Sequence, residues 1–60
     1  MDEFESLLAQ SRTAVERWVK ARVSHYADAE DILQDTYLAA YRNFPTLRNK
    51  ASFLSWILGI

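Results

Sequence analysis

Apolar residues recur at helical spacing along three stretches of the sequence, and this repeat limits the fold more than any other feature. Positions three and four residues apart share one face of an α-helix, so each repeat predicts a helix with one apolar side. The three sets are Phe4, Leu7, Leu8, Val15, Trp18 and Val19; Leu33, Tyr37, Ala40 and Phe44; and Phe53, Trp56, Ile57 and Ile60. The sequence therefore predicts an all-α fold, a small three-helix bundle, with helices over about 2–23, 29–43 and 50–60.

Turn-forming residues are scarce and fall between the predicted helices. The chain has one glycine and one proline among its 60 residues. Pro45 disfavours the helical conformation at the residue before it, so the second helix should end near Asn43. Asp28 and Asn49 have side chains suited to capping, and we expect them to be the N-caps of the second and third helices.

The composition excludes several classes of function. The chain has no cysteine, so neither a disulfide nor a thiolate metal site is expected. Its single histidine, His25, has no metal-ligating partner at a suitable spacing, and we expect no metal, no cofactor and no catalysis. No apolar run approaches the ~20 residues of a membrane span, and the N-terminus is acidic where a signal peptide is basic. We therefore expect a cytoplasmic protein with no membrane partner.

The second predicted helix has a polar face that capping and packing do not explain. Asp31, Gln34, Asp35 and Leu38 lie opposite its apolar side, together with Arg42. Asp35 is a like-charged neighbour of Asp31, which costs a few tenths of a kcal/mol in an isolated helix. This face suits docking onto a basic partner with an apolar centre. It is also consistent with a solvated face that carries one leucine, and the periodicity alone leaves both interpretations open.

Two aromatic residues near the end of the first helix have two interpretations. Trp18 and Tyr26 could be platforms on which nucleic-acid bases stack. Their positions on or beyond the apolar stripe favour burial in the core instead. We therefore predict that both side chains are buried.

The third predicted helix is apolar on more than one side. Leu54 and Leu58 lie away from its main apolar face, and three short helices cannot cover both sides. The repeat also stops at Ile60 without a residue that usually closes a helix. We therefore expect a truncated domain that lacks a following helix and whose uncovered leucines make it pair as a two-fold dimer.

Three motifs resemble one known family. They are Asp28-Ala-Glu-Asp-Ile-Leu-Gln-Asp-Thr-Tyr-Leu-Ala-Ala-Tyr41, Phe44, and Ser52-Phe-Leu-Ser-Trp-Ile-Leu-Gly-Ile60. At this separation they closely resemble the extracytoplasmic-function (ECF) group of the sigma-70 family of bacterial RNA polymerase sigma factors. The resemblance spans the chain, so residues 1–60 are expected to form the early part of the family's second conserved domain.

The resemblance implies a partner and a site. It implies a sigma factor of transcription initiation that docks on the coiled-coil clamp helices of the RNA polymerase β′ subunit. Asp31, Gln34 and Asp35 match the family's polymerase-contacting positions, and Leu38 lies beside them. An anti-sigma factor is a further implied partner. Promoter DNA is implied for the full-length protein only, since most residues that read it would follow Ile60.

Two competing functions have specific requirements. A free-standing DNA-binding regulator of helix-turn-helix type needs a basic recognition helix, whereas the best exposed helix here is acidic. A carboxylate metal enzyme needs acids that converge on one point, whereas Asp28, Glu30, Asp31 and Asp35 are spread around one helix. The DNA-binding regulator remains the alternative to the sigma factor.

Overall fold

The computed structural model describes residues 2–60 and contains three α-helices and two short 3₁₀ turns. Met1, which belongs to the predicted domain, lies outside the described residues. Helix α1 spans Glu3–Lys20, α2 spans Tyr26–Asn43 and α3 spans Phe53–Leu58, with 3₁₀ turns at Phe44–Thr46 and Lys50–Ser52. The part of the chain that the structure describes has no β-strand. The prediction of a small all-α bundle is therefore confirmed.

Helix α1 begins with a side-chain cap. The Asp2 carboxylate accepts a hydrogen bond from the backbone N–H of Glu5 at 2.8 Å. Glu3 and Glu5 occupy the first turn, where the helix dipole favours acids. The helix ends at Lys20 rather than near residue 23 as predicted, and a turn follows in which the N–H of Val23 donates to the carbonyl of Val19.

Helix α2 begins three residues earlier than predicted, and the predicted cap is wrong. His25 is the N-cap residue and makes no side-chain capping bond, while Asp28 lies inside the first turn. Acidic residues are favoured both at the cap and in the first helical turn, so an aspartate alone does not distinguish these positions. The end of α2 at Asn43 agrees with the predicted boundary, but the reason given for it is wrong: Phe44, the residue before Pro45, keeps a helical backbone (φ −53°, ψ −40°) and begins the 3₁₀ turn.

The connection to α3 is built from side-chain bonds to the backbone. The Thr46 hydroxyl donates to the carbonyl of Asn43 at 2.6 Å. The Asn49 side chain accepts from the N–H of Ala51 at 3.1 Å, so Asn49 is a cap as predicted, but of the 3₁₀ turn that precedes α3. No residue between 2 and 60 has a positive φ angle.

The core combines one face of each helix with the connecting loop. Its buried apolar residues are Phe4, Leu8, Val15, Val19, Ala29, Leu33, Ala40, Leu47, Phe53 and Ile57. The centroid of the Phe4 ring lies 5.2 Å from that of Phe44 and 5.8 Å from that of Phe53, in edge-to-face contacts. These aromatic contacts join the start of α1 to the end of α2 and the start of α3.

Three side chains expected on buried faces are exposed. Trp18 is 39% exposed and Tyr26 is 72% exposed, so the prediction that both lie in the core is wrong for Tyr26 and overstated for Trp18. Tyr26 belongs to α2, and the stripe of α1 could not be extended across the intervening turn. Ile60 follows the end of α3 and is also exposed.

Leu54 and Leu58 on α3 differ in exposure. Leu54 is exposed, whereas Leu58 is partly buried against the core.

Among the described residues, no helix has the length and apolar content needed to cross a membrane.

Candidate partner-binding surface

Helix α2 places the four predicted site residues on its outer side. Asp31, Gln34, Asp35 and Leu38 are all exposed. At 100° per residue they fall within an arc of about 100° around the helix axis. We call these four residues the docking surface.

The opposite side of α2 fixes this surface in place. Ala29, Leu33 and Ala40 are buried in the core. The small alanine side chains let the backbone of α2 pack closely against its neighbours, and the leucine fills the space between them. The docking surface therefore lies on a helix held by its inner face rather than on a loop.

The charge on the docking surface is not required by the fold. Asp31 and Asp35 are exposed and one helical turn apart, so their like charges oppose each other. Asp28 gains from the helix dipole in the first turn, but this effect fades within a turn and gives little to Asp35. A cationic partner would relieve the repulsion between the two carboxylates.

An apolar side chain lies within this polar surface. Leu38 is 54% exposed, with Asp35 one turn before it on the same side of α2. An exposed leucine between charged groups provides apolar contact at the centre of a polar rim, which is the usual organisation of a protein interface.

Sequence reasoning missed two apolar residues that flank the docking surface. Ile32 is exposed on one side of it, and Tyr41, which is 63% exposed, lies on the other. Tyr41 lies about 80° from Asp31 around α2, and this angle could have indicated the outer side. Its ring nevertheless contacts that of Phe4 edge-on, with centroids 5.4 Å apart.

A groove of about 500 Å³ lies next to the docking surface, on the side of Tyr41. It lies between the start of α1 and the end of α2. Its lining residues are Asp2, Glu3, Phe4, Tyr41, Arg42, Phe44 and Pro45. Three of these seven residues are aromatic and three are charged.

Tyr37 lies between α1 and α2 and has an unusual environment. Burial raises the pKa of its hydroxyl above the ordinary value of 10.0; the Glu16 carboxylate adds to this increase and Arg12 opposes it. The hydroxyl oxygen is buried and has no hydrogen-bond partner among residues 2–60. Tyr37 faces the other helix rather than the docking surface, so we assign it no role in binding.

The acidic side chains of α2 do not form a metal site with other residues. Between residues 2 and 60, no group of three or more histidine, cysteine, aspartate or glutamate side chains is arranged to hold a metal ion. Asp28, Asp31 and Asp35 lie within about 60° of one another around α2, and Glu30 lies about 100° from Asp31.

Comparison with known proteins identifies the family. The family model described as Sigma-70 region 2 matches residues 7–60, which include all of α2 and the whole docking surface. Searches of curated proteins and of solved structures found no match. Because the family match covers far more than half of the chain, the protein belongs to the sigma-70 region 2 family, whose members are non-enzymatic sigma factors that act with the RNA polymerase core in transcription initiation.

Proposed function

We propose that this chain is the polymerase-docking module of a sigma factor of the ECF group, and that its docking surface binds the clamp helices of the β′ subunit. The observation that carries the proposal is the outer side of α2. It exposes Asp31 and Asp35 together with Leu38, although neither capping nor packing requires these residues there.

Each side chain of the docking surface has a distinct role in this proposal. Asp31 and Asp35 pair with arginine or lysine side chains of the clamp, and Gln34 donates or accepts a hydrogen bond across the interface. Leu38 supplies the apolar contact from which water is excluded. Acids on a helix and bases on the partner also increase the association rate at low salt.

We propose the wider biology from the resemblance of the motifs quoted above. Docking would carry promoter-reading segments onto the polymerase, in the cytoplasm. An anti-sigma factor is a further proposed partner of the full-length protein. For the 60-residue chain we propose no sequence-selective binding to promoter DNA, because its net charge is −1 and its most exposed helix face is acidic.

The experiment is a binding titration with purified β′ clamp helices. We expect Asp31→Arg and Asp35→Arg each to weaken binding by about 1–3 kcal/mol, because each replaces an attraction by a repulsion. Glu5→Arg makes the same charge change at an exposed position of α1 and serves as the matched control. Circular dichroism checks that helical content is retained.

Charge exchange across the interface sharpens this test. If Asp31 pairs with one arginine of the clamp, changing that arginine to aspartate should restore binding to Asp31→Arg. Equal binding by the original chain, Asp31→Arg and Asp35→Arg at low salt would contradict the proposal.

The alternative, a DNA-binding regulator of helix-turn-helix type, makes an opposite prediction. It requires that the chain alone shift one promoter sequence in preference to a scrambled sequence. A gel-shift assay distinguishes the two functions directly. No observation between residues 2 and 60 favours the alternative, since the exposed face of α2 has acids where a recognition helix needs bases.

We also propose that the isolated chain self-associates weakly. A shallow groove of about 70 Å³ runs between the helices, and most of its lining is apolar. Its lining residues are Val15, Trp18, Val19, Ile32, Thr36, Ile57, Leu58 and Ile60. The exposed Leu54 of a second copy is the proposed occupant, in a two-fold pair. Sedimentation at high micromolar concentration tests this, and a monomeric profile unaffected by Leu58→Glu would contradict it.

A further inference from the structure

Three aromatic rings meet at the groove between the start of α1 and the end of α2. Phe4 contacts both of the others: its ring centroid lies 5.4 Å from that of Tyr41 and 5.2 Å from that of Phe44. The planes of these two pairs are inclined by 74° and 71°. The rings therefore adjoin nearly at right angles, and we call them the aromatic corner.

The fold requires two of these rings more than the third. Phe4 is buried in the core, and Phe44 is partly buried against it. Tyr41 lies in the same cluster but is mostly exposed. Core packing therefore explains Phe4 and Phe44, and it leaves most of the Tyr41 ring available to a ligand in the groove.

One ring of the aromatic corner already attracts a cation. The Nζ atom of Lys50 lies 4.2 Å from the centroid of the Phe44 ring. The face of an aromatic ring has negative electrostatic potential, so it attracts an ammonium group. Lys50 does not line the groove, so its ammonium group leaves the groove open.

The charged residues of the groove favour a cation over an anion. Two carboxylates, those of Asp2 and Glu3, line it together with the single guanidinium of Arg42. Glu3 is exposed, and the capping bond of Asp2 uses its Oδ1 atom. The dipoles of α1 and α2 favour these charges even without a ligand, so the acids indicate a site only in combination with the rings.

We propose that the groove binds a small organic cation with a quaternary, methylated ammonium group. The methyl groups contact the aromatic corner, and the positive charge is attracted by the rings and by the carboxylates of Asp2 and Glu3. Several rings around one quaternary ammonium group are a recognised means of binding such ligands. A neutral apolar group would use the rings but not the carboxylates, and an anion would use neither.

The test uses the 60-residue chain with choline as the probe. NMR titrations follow the ring protons of Tyr41 and Phe44 and the methyl protons of choline. We expect saturable binding with an upfield shift of the methyl signal, because the methyl groups lie over aromatic faces. Dimethylbutanol, in which a carbon atom replaces the choline nitrogen, is the matched neutral probe and should bind at least about threefold more weakly.

Variants at Tyr41 test the exposed ring. Tyr41→Ala should weaken choline binding by about three- to thirtyfold, and Tyr41→Leu, which keeps apolar volume without a ring, should have a similar effect. Tyr41→Phe keeps the ring and should bind like the original chain. Tyr26→Ala removes an exposed ring about 22 Å away along α2 and should leave the affinity within about twofold. Circular dichroism of each variant checks that the helices remain.

A variant at Glu3 tests the charge separately from the rings. Glu3→Gln should weaken choline binding about twofold, as expected for an exposed charge pair, and should not change the binding of dimethylbutanol. Glu5→Gln makes the same change at an exposed position of α1 that does not line the groove, and serves as the control.

A short peptide with one trimethyl-lysine distinguishes the source of the cation. Binding of free choline with the losses described above supports the small-molecule site, whereas binding of the peptide alone would overturn it. Equal binding of choline and dimethylbutanol would identify a merely apolar groove and overturn the proposal. Absence of choline binding at high millimolar concentration would also overturn it. None of these results depends on the clamp-binding experiment.

Discussion

The two ends of α1 both carry aromatic residues, yet these residues have opposite environments. At the start of the helix, Phe4 is buried and meets the rings of Phe44 and Phe53 edge-on. Near the other end, Trp18 of α1 and Tyr26, the first residue of α2, are exposed and meet cations instead. Both ends have aromatic side chains, but these contact other aromatic rings at one end and cations at the other.

The difference arises from what covers each end. The 3₁₀ turns and the start of α3 lie over the first end and supply two phenylalanine rings. Only the short turn at residues 21–25 connects the helices at the other end, and it has one apolar side chain of any size, Val23. An aromatic residue therefore stabilises the fold at one end and stays in contact with solvent and a cation at the other.

The largest expected effect is the loss of the central ring of the aromatic cluster. Phe53 is 2% exposed and contacts Phe4, Phe44 and Trp56. We expect Phe53→Ala to lower the free energy of unfolding by about 3–5 kcal/mol through lost burial and the cavity that remains. A chain of this size has about that much stability in total, so the variant should be largely unfolded.

Urea denaturation followed by circular dichroism measures this change. Phe53→Leu, which keeps most of the buried apolar volume, is the matched control and should lose much less stability. A midpoint for Phe53→Ala equal to that of the original chain would show that the two ends of α1 do not differ as described.

A smaller effect is expected at the edge of the same cluster. Lys50 donates from Nζ to the carbonyl of Leu47 at 2.6 Å, and the same Nζ lies 4.2 Å from the centroid of the Phe44 ring. Lys50→Met keeps the length of the side chain but removes both interactions, and should cost about 1–2 kcal/mol. Arg48→Met, at an exposed neighbouring position, is the control in the same denaturation assay. Equal midpoints for the two variants would contradict this role of Lys50.

The pH dependence of stability tests the contact between Tyr37 of α2 and the middle of α1. Because burial raises the pKa of Tyr37 in the folded state, folding favours the protonated hydroxyl. This contribution is complete below the ordinary pKa near 10.0 and is lost as the pH rises through the higher folded value. Alkaline titration of the unfolding midpoint should therefore show a loss that Tyr37→Phe reduces and the exposed-site variant Tyr41→Phe does not. An equal alkaline loss in Tyr37→Phe would show that other groups cause it.

The smallest effect is expected at the exposed end. Tyr26 buries little of its ring in the fold, and alanine is a better helix former. Tyr26→Ala should change the free energy of unfolding by less than about 0.5 kcal/mol, as is usual for surface positions. Thermal unfolding by circular dichroism measures it. A loss comparable to that of Phe53→Ala would mean that this ring supports the fold after all.

Periodicity predicted the helices and most of their inner faces. Leu33, Ala40, Phe53 and Ile57 are buried as the repeats indicated, because each face has one consistent angle along a helix. The end of α2 at Asn43 was also predicted, although Phe44 before Pro45 keeps the helical backbone that the proline rule disfavours. These signals are local and need no knowledge of the third dimension.

The errors have a common physical cause. The start of α2 was predicted three residues too late, because an aspartate is favoured both at the N-cap and in the first turn. Tyr26 and Trp18 were assigned to the core because the apolar stripe of α1 does not show where α1 ends and α2 begins. The exposure of Asp31, Gln34, Asp35 and Leu38 was predicted from the sequence, since helical spacing opposite the apolar side requires no tertiary information. Their contact with the polymerase remains a prediction.

The absence of positive φ angles between residues 2 and 60 has a consequence for sequence variation in this fold. No described position depends on the special freedom of glycine, and a Cβ added at Gly59 would meet its nearest neighbour at an ordinary 3.5 Å. Tolerance to substitution should therefore follow burial and binding alone. In a library of all single substitutions, the positions that reject most replacements should separate into two groups: those lost by unfolding, and those lost only when a partner must be bound.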